Sequence, residues 1–168
     1  MDELYEFAGR LPTLFSDYVK EEKANVQYKA YGKAVKRLTI TLPKDFVRDS
    51  LPQALLSAAD GESLRTFFSG LSFSGSQKII LLCDENDRPV RISYNGHAGW
   101  DPDALRNISA VWKCGRDGQN RRDSLTLKTP AVSGYDKDNY QYDRERTIDP
   151  ETNEQQLTWK LELDHKAG

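Results

Sequence analysis

Histidine and cysteine are scarce in this chain, which has two of each among its 168 residues. A tetrahedral zinc site takes four such ligands, so it would need all of them, and their spacing matches no zinc pattern. We therefore expect neither a metal centre nor another cofactor. Cys83 and Cys114 each fall within a predicted strand. Packed, reduced thiols of this kind are typical of a cytosolic protein.

Long apolar runs and nucleotide-binding motifs are also missing. The longest apolar stretch is residues 79–83, whereas a membrane helix needs roughly 20 residues. The acidic start Met1-Asp2-Glu3 is not followed by the apolar segment of a secretory signal, so we expect a cytoplasmic protein. Neither a Gly-Lys-Ser/Thr phosphate loop nor a three-glycine dinucleotide fingerprint occurs.

The overall charge does not identify a class of partner, because 24 basic residues face 26 acidic ones for a net charge of −2. The distribution is uneven. Residues 20–44 carry seven basic against two acidic side chains, residues 105–134 carry six against two, and residues 135–168 carry five against nine. With 38% hydrophobic residues, the chain can bury roughly 70% of its unfolded surface as a single domain spanning residues 1–168.

Residues 1–75 are predicted to be mainly helical, with one or two strands. Apolar residues at three- and four-residue steps predict a helix over residues 2–23, which Pro12 should break near Arg10. Partial alternation predicts a strand within residues 26–42. Helices are predicted over residues 44–59, split at Pro52, and over residues 63–73.

Residues 76–168 are predicted to form an antiparallel β-meander. The clearest hairpin covers residues 77–94, and two looser hairpins pair residues 108–114 with 125–129 and residues 140–147 with 157–163. In the last strand the apolar residues Trp159, Leu161 and Leu163 alternate with polar ones. The fold class is therefore α+β, with N-terminal helical segments that cover one face of an antiparallel meander of about six strands.

Residues 95–102 are predicted to form a loop that could hold an active site. Glycines flank His97, Asp101 and Asp103 follow it, and Trp100 could stack on a ligand. The alternative is a connection between strands that has no catalytic role and exposes the imidazole to solvent. We favour that alternative, so a small enzyme that uses the His97 loop is our third hypothesis.

The segment 36–46, KRLTITLPKDF, resembles the opening of the ribbon-helix-helix DNA-binding proteins. In that family a strand of alternating polar residues enters the major groove, and a helix starts just after a proline. The resemblance extends over residues 36–71 and implies that Arg37, Thr39 and Thr41 would face the bases. Pro52 and the short second helix depart from the family pattern. The alternative is an ordinary strand followed by a helix.

A polar turn at residues 115–123, with Asp117-Gly118 as its hairpin signal, holds Arg116, Arg121 and Arg122. Lys113 and Lys128 extend it. Such a projecting tip could bind phosphates or the acidic face of a protein.

We favour a non-catalytic cytosolic binding protein that acts through a charged surface, as an inhibitor, immunity or adaptor protein does. Its expected partner is another protein with an acidic face. The expected contact residues are Arg116, Arg121, Arg122, Lys113, Lys128, Lys33, Lys36 and Arg37. The alternative is a nucleic-acid-binding protein that uses residues 20–44 and the Arg116–Arg122 turn. We expect no membrane partner.

Overall fold

The computed structural model describes residues 2–117, 120–129, 137–149 and 151–166. These residues form one antiparallel sheet of eight strands, in which each strand pairs with the next one along the chain. The strands are β1 (Val19–Tyr28), β2 (Gly32–Leu42), β3 (Ser72–Cys83), β4 (Pro89–Gly99), β5 (Arg106–Asp117), β6 (Asn120–Thr129), β7 (Lys137–Ile148) and β8 (Gln155–Lys166).

Four α-helices precede β3 in the described residues: α1 (Asp2–Leu14), α2 (Lys44–Asp49), α3 (Leu51–Ala58) and α4 (Glu62–Ser69). The α+β class with helices packed on an antiparallel sheet is therefore confirmed. The sheet has eight strands rather than about six. The difference arises because the strands near the N-terminus belong to the same meander.

The predicted helix over residues 2–23 is wrong in its second half. α1 ends at Leu14, a 3₁₀ turn covers Ser16–Tyr18, and β1 begins at Val19. Val19 lies opposite Ile40 in β2, so pairing with a distant strand overrides the local helical period. Pro12 does not break α1 at Arg10. It lies in the last turn, and the helix ends two residues later at Leu14.

The other helix predictions agree with the structure in outline. Pro52 separates α2 from α3 as expected, because it occupies the first turn of α3, where its missing N–H needs no partner. α4 ends at Ser69, and Phe73, which was predicted to be helical, lies in β3. The predicted turn at residues 115–123 is too long, because β5 extends to Asp117 and β6 begins at Asn120. Gly118 and Gln119 lie outside the described residues.

One row of side chains crosses the sheet from β2 to β8. Residues that lie directly opposite one another share a face of an antiparallel sheet. The members of this helix-side row are Leu38, Leu81, Ile92, Trp112, Leu125, Tyr142 and Leu161. Its β2–β5 part packs into the main core with the buried helix residues Phe7, Leu11, Val47, Leu55 and Phe68.

β2 lies inside the sheet, since β1 pairs with one side of it and β3 with the other. The ribbon-helix-helix resemblance requires this strand to pair with a second chain and enter a groove. That architecture is wrong for this chain, because both edges of β2 are already occupied. Arg37, Thr39 and Thr41 alternate with the buried Ile40 and so lie on the face away from the helices.

The predicted loop over residues 95–102 is also wrong, since β4 continues through Gly99. Gly96 serves packing within a strand rather than a loop. A Cβ at Gly96 would lie 1.9 Å from Oε1 of Gln77, and the buried Gln77 accepts a hydrogen bond from the Tyr94 hydroxyl. The glycine therefore makes room for a buried polar contact.

Among the described residues, no helix combines the length and the apolar character needed to cross a membrane.

Candidate functional site

Three arginines lie side by side on neighbouring strands at one end of the sheet. Arg116 in β5 is directly opposite Arg121 in β6, and Arg121 is directly opposite Arg146 in β7. Like charges directly opposite one another destabilise a sheet. This arginine row therefore needs negative or aromatic groups to offset its repulsion.

The ring of Tyr5 in α1 provides part of that compensation. The guanidinium carbons of Arg116 and Arg121 lie 4.5 and 4.6 Å from its centre, within cation–π range. The Tyr5 hydroxyl donates to the carbonyl oxygen of Pro89 at 3.0 Å. Burial raises the pKa of Tyr5 to about 12, so the ring stays neutral. Glu6 lies 3.5 Å from Arg116.

Asp123 provides the rest, beside the row on the same face of the sheet. Its carboxylate is fully buried and lies 2.9 Å from Arg121 Nε and 2.8 Å from Arg144 Nη2. The indole N–H of Trp112 donates to the same carboxylate at 3.2 Å. Hydrogen bonds and two cations offset the cost of burying this charge.

The expectation that Arg121 lies at an exposed hairpin tip is wrong, since only 5% of it is exposed. Its nearness to Asp123 draws it inward. Reversing its charge would place two carboxylates together in the interior, so Arg121 orients the row and is a poor site for a test variant. Arg116 and Arg122 have side chains that are 37% and 45% exposed.

The β1–β2 turn approaches β5 from the face away from the helices and forms one wall of a cleft at this end of the sheet. Gly115 permits this approach, because a Cβ there would lie 2.6 Å from the carbonyl oxygen of Ala30. The cleft has a volume of about 390 Å³. Its described lining is Ala30, Tyr31, Gly32, Gly115, Arg116, Asn120, Arg121, Arg122, Glu145, Arg146 and Thr147.

The lining of this arginine cleft is strongly positive, with four arginines against Glu145. Glu145 forms an ion pair with Arg122 at 2.6 Å. Arg146, at the outer end of the row, has a buried Nε with no hydrogen-bond partner among the described residues. A buried N–H without a partner is costly.

The other expected contact residues are dispersed over the sheet. The Lys113 ammonium lies 5.8 Å from the centre of the Tyr31 ring, at the border of the cleft, and Lys33 follows Gly32. Lys36 forms an ion pair with Asp87, and Arg37 is opposite Leu82. Lys128 lies at the far end of β6.

Sequence reasoning missed Arg146 and Tyr31 as members of this site. Arg144-Glu145-Arg146 is a visible charged run in β7, but its partners depend on the register between β6 and β7. Residues 130–136 separate those strands, so no short turn fixes the register. Tyr31 enters the site only because the β1–β2 turn folds over β5.

His97 lies in β4 and not in a loop. Its Nδ1 contacts the hydroxyl of Ser74, which is opposite it in β3. Asp101, which follows His97 in the predicted active-site loop, accepts a hydrogen bond from the backbone N–H of Asp103 at 3.0 Å. The described contacts therefore join His97 to a serine but give Asp101 a local structural role.

Both cysteines are buried and free. Burial raises the pKa of the Cys83 thiol to about 11, and it raises the pKa of Cys114 further. Both thiols are therefore protonated and packed in the core at neutral pH. Within the described parts of the chain, no three His, Cys, Asp or Glu side chains gather as metal ligands.

Comparison of the chain with protein-family models, with curated proteins and with solved structures finds no match.

Proposed function

We propose that this chain is a non-catalytic, cytosolic binding protein whose arginine cleft receives an acidic group of a partner protein. The observation that carries the proposal is the row Arg116–Arg121–Arg146 across three strands. Such a row is unfavourable in isolation, and it borders a cleft whose lining is rich in arginine.

Arginine guanidinium groups favour planar, forked acceptors. They bind a carboxylate or a phosphate through two parallel N–H···O bonds. Arg116 and Arg122 are partly exposed, on opposite faces of the sheet at the border of the cleft. The buried Nε of Arg146 has no hydrogen-bond partner among the described residues. An Asp or Glu side chain of a partner is small enough for a cleft of about 390 Å³.

The alternative is nucleic-acid binding through residues 20–44 and the Arg116–Arg122 turn. Its first segment receives less support from the arrangement of charges. Lys20 lies 2.8 Å from Glu22, and Lys36 pairs with Asp87. Phosphate backbones are bound by several cations along one surface. Two of the basic residues in this stretch are instead neutralised within the chain.

Affinity capture from a native lysate with three baits tests the proposal. The first bait is the wild type. The second carries Arg116→Gln, Arg122→Gln and Arg146→Gln, and the matched control carries Lys23→Gln, Lys44→Gln and Lys78→Gln. Both variants lose three positive charges, and the control changes exposed lysines outside the cleft. Each capture is done with and without nuclease.

The proposal predicts a protein partner that resists nuclease, is retained by the control and is lost with the cleft variant. The on-rate should fall more at low salt than at high salt, because the contact is electrostatic. A partner captured equally by both variants would contradict the cleft. Capture that nuclease abolishes and the lysine control weakens would favour the nucleic-acid alternative.

A further inference from the structure

The helix-side face of β8 carries a stripe of exposed large apolar side chains. Leu157, Trp159, Leu161 and Leu163 are 58%, 69%, 60% and 58% exposed. Leu161 belongs to the helix-side row, and the other three share its face because they are two or four residues away. Soluble monomers rarely leave large contiguous apolar patches uncovered, so this stripe calls for a partner.

The two edges of the sheet differ in how they are protected. β1 has a register shift between Lys23 and Val26 and a charged run, Lys20-Glu21-Glu22-Lys23. Bulges and charges of this kind prevent edge-to-edge pairing. β8 pairs with β7 without a register shift from Gln155 to Lys166 and contains neither proline nor glycine. It is a long and regular edge, and the register shift of β1 is the feature that it lacks.

We propose that β8 pairs in antiparallel fashion with β8 of a second copy of this chain, about a two-fold axis at Leu161. A two-fold axis perpendicular to the sheet keeps each side chain on its own face. Residues that lie opposite one another across the axis must therefore be an even number of positions apart, which places the axis beside one residue that faces its own copy. The interface uses the same strand from both copies, and it therefore closes into a dimer. Pairing β1 of one copy with β8 of the next would instead build a continuous sheet that does not close.

Charge complementarity selects the register. With the axis at Leu161, Lys160 of each copy lies opposite Glu162 of the other, and opposite charges at such positions are favourable. An axis at Lys160 or at Glu162 would place identical charges face to face. An axis at Trp159 would place Lys160 opposite Thr158 and form no ion pair. Of these four axes, only the one at Leu161 places Lys160 of each copy opposite Glu162 of the other.

The same register also brings apolar side chains together. Leu161 meets its own copy at the axis, and Trp159 lies opposite Leu163 of the second copy. These contacts are side by side in the plane of the sheet, so they bury the edge-facing sides of the apolar side chains and join the two stripes into one. None of the described cleft-lining residues belongs to β8.

Charge exchange between the copies provides the test, with sedimentation equilibrium as the measurement. The variants are Lys160→Glu, Glu162→Lys and the double exchange. Both side chains are more than half exposed, at 66% and 56%, so the fold should persist, and far-ultraviolet circular dichroism checks it. The wild type should dimerise, and each single variant should weaken the dimer about tenfold, because two symmetric pairs become repulsive.

Mixing the two single variants gives the decisive result. One chain then carries two acidic groups and the other two basic ones, so a heterodimer should form with the affinity of the wild type. Lys160 and Glu162 also form an ion pair within one chain, at 2.5 Å, and neither single variant restores that pair. Recovery on mixing therefore reports the contact between copies.

The double exchange should dimerise like the wild type. A wild type that stays monomeric at millimolar concentration would overturn the proposal. So would single variants that dimerise as well as the wild type, or a mixture without heterodimer.

Discussion

The helix-side row has two halves that share one alternating pattern. The helices pack against the first half but not against the second. From Leu38 to Trp112 the row lies under or beside the helices, and Leu81 is 1% exposed. From Tyr142 to Leu161 it lies beyond them, and Leu161 is 60% exposed. The helices all precede β3 in the described chain, and they cover the strands nearest to them.

This difference shows what strand periodicity can and cannot predict. The alternation of Trp159, Leu161 and Leu163 with polar residues indicates a strand that has one apolar face. It does not indicate what covers that face. In the covered half the chain provides its own helices. In the exposed half none of the described helices lies over the apolar face.

The largest expected loss of stability is at Asp123 in β6. Its buried carboxylate contacts Trp112 of β5 and Arg144 of β7. Asp123→Asn removes the charge that neutralises Arg121 and Arg144. Breaking a buried ion pair on one side costs about 3–5 kcal/mol. Urea unfolding should show this loss, whereas the exposed control Asp17→Asn should change stability by less than about 0.5 kcal/mol. Equal stability of the two variants would refute the buried network.

A matched pair of truncations compares the two halves directly. Leu81→Ala should lower the free energy of unfolding by about 2–5 kcal/mol, because it opens a cavity in the core. Leu161→Ala should cost less than about 0.5 kcal/mol when measured at a protein concentration at which the chain is monomeric. A large loss at Leu161 under those conditions would mean that this half is covered within the chain.

Alkaline pH should destabilise the covered half. Burial raises the pKa of Cys83 from 9.0 to about 11 and that of Tyr5 from 10.0 to about 12. A pKa raised by folding means that the folded state holds its proton more tightly, so stability is complete below the unfolded value. It should then decline as the pH rises from about 9 to about 12.

Thiol labelling measures the same burial at neutral pH. Cys83 and Cys114 should react with a disulfide reagent only as fast as the protein opens, and they should react fully in denaturant. Rapid labelling of the native protein would contradict their placement in the core.

The smallest effect is expected at His97. His97→Ala removes one contact, with the Ser74 hydroxyl, and should cost about 1 kcal/mol or less. Partner binding should stay within a few-fold of the wild type. If the variant keeps its circular dichroism spectrum but loses its function, the hypothesis of an enzyme built on His97 gains first place.

Local patterns predicted the class of fold and the hairpins, but not where distant segments meet. The turn-rich residues 84–89 fixed one register. By contrast, Val19 forms a strand because Ile40 lies opposite it, and nothing in residues 2–23 encodes that contact. The arginine cleft was predicted in part, since Arg116, Arg121 and Arg122 are near neighbours in sequence. Arg146 comes from the next strand, and its position depends on the tertiary fold.

Titration of the protein with a short oligoglutamate peptide, followed by amide chemical shifts, tests the arginine cleft most directly. The account predicts the largest shifts at Gly115, Asn120 and Arg146, with binding that weakens as salt increases. Arg146→Gln should reduce the affinity severalfold, and the control Lys78→Gln should leave it unchanged. Shifts spread evenly over the sheet, or an affinity that Arg146→Gln does not change, would contradict the cleft as the binding site.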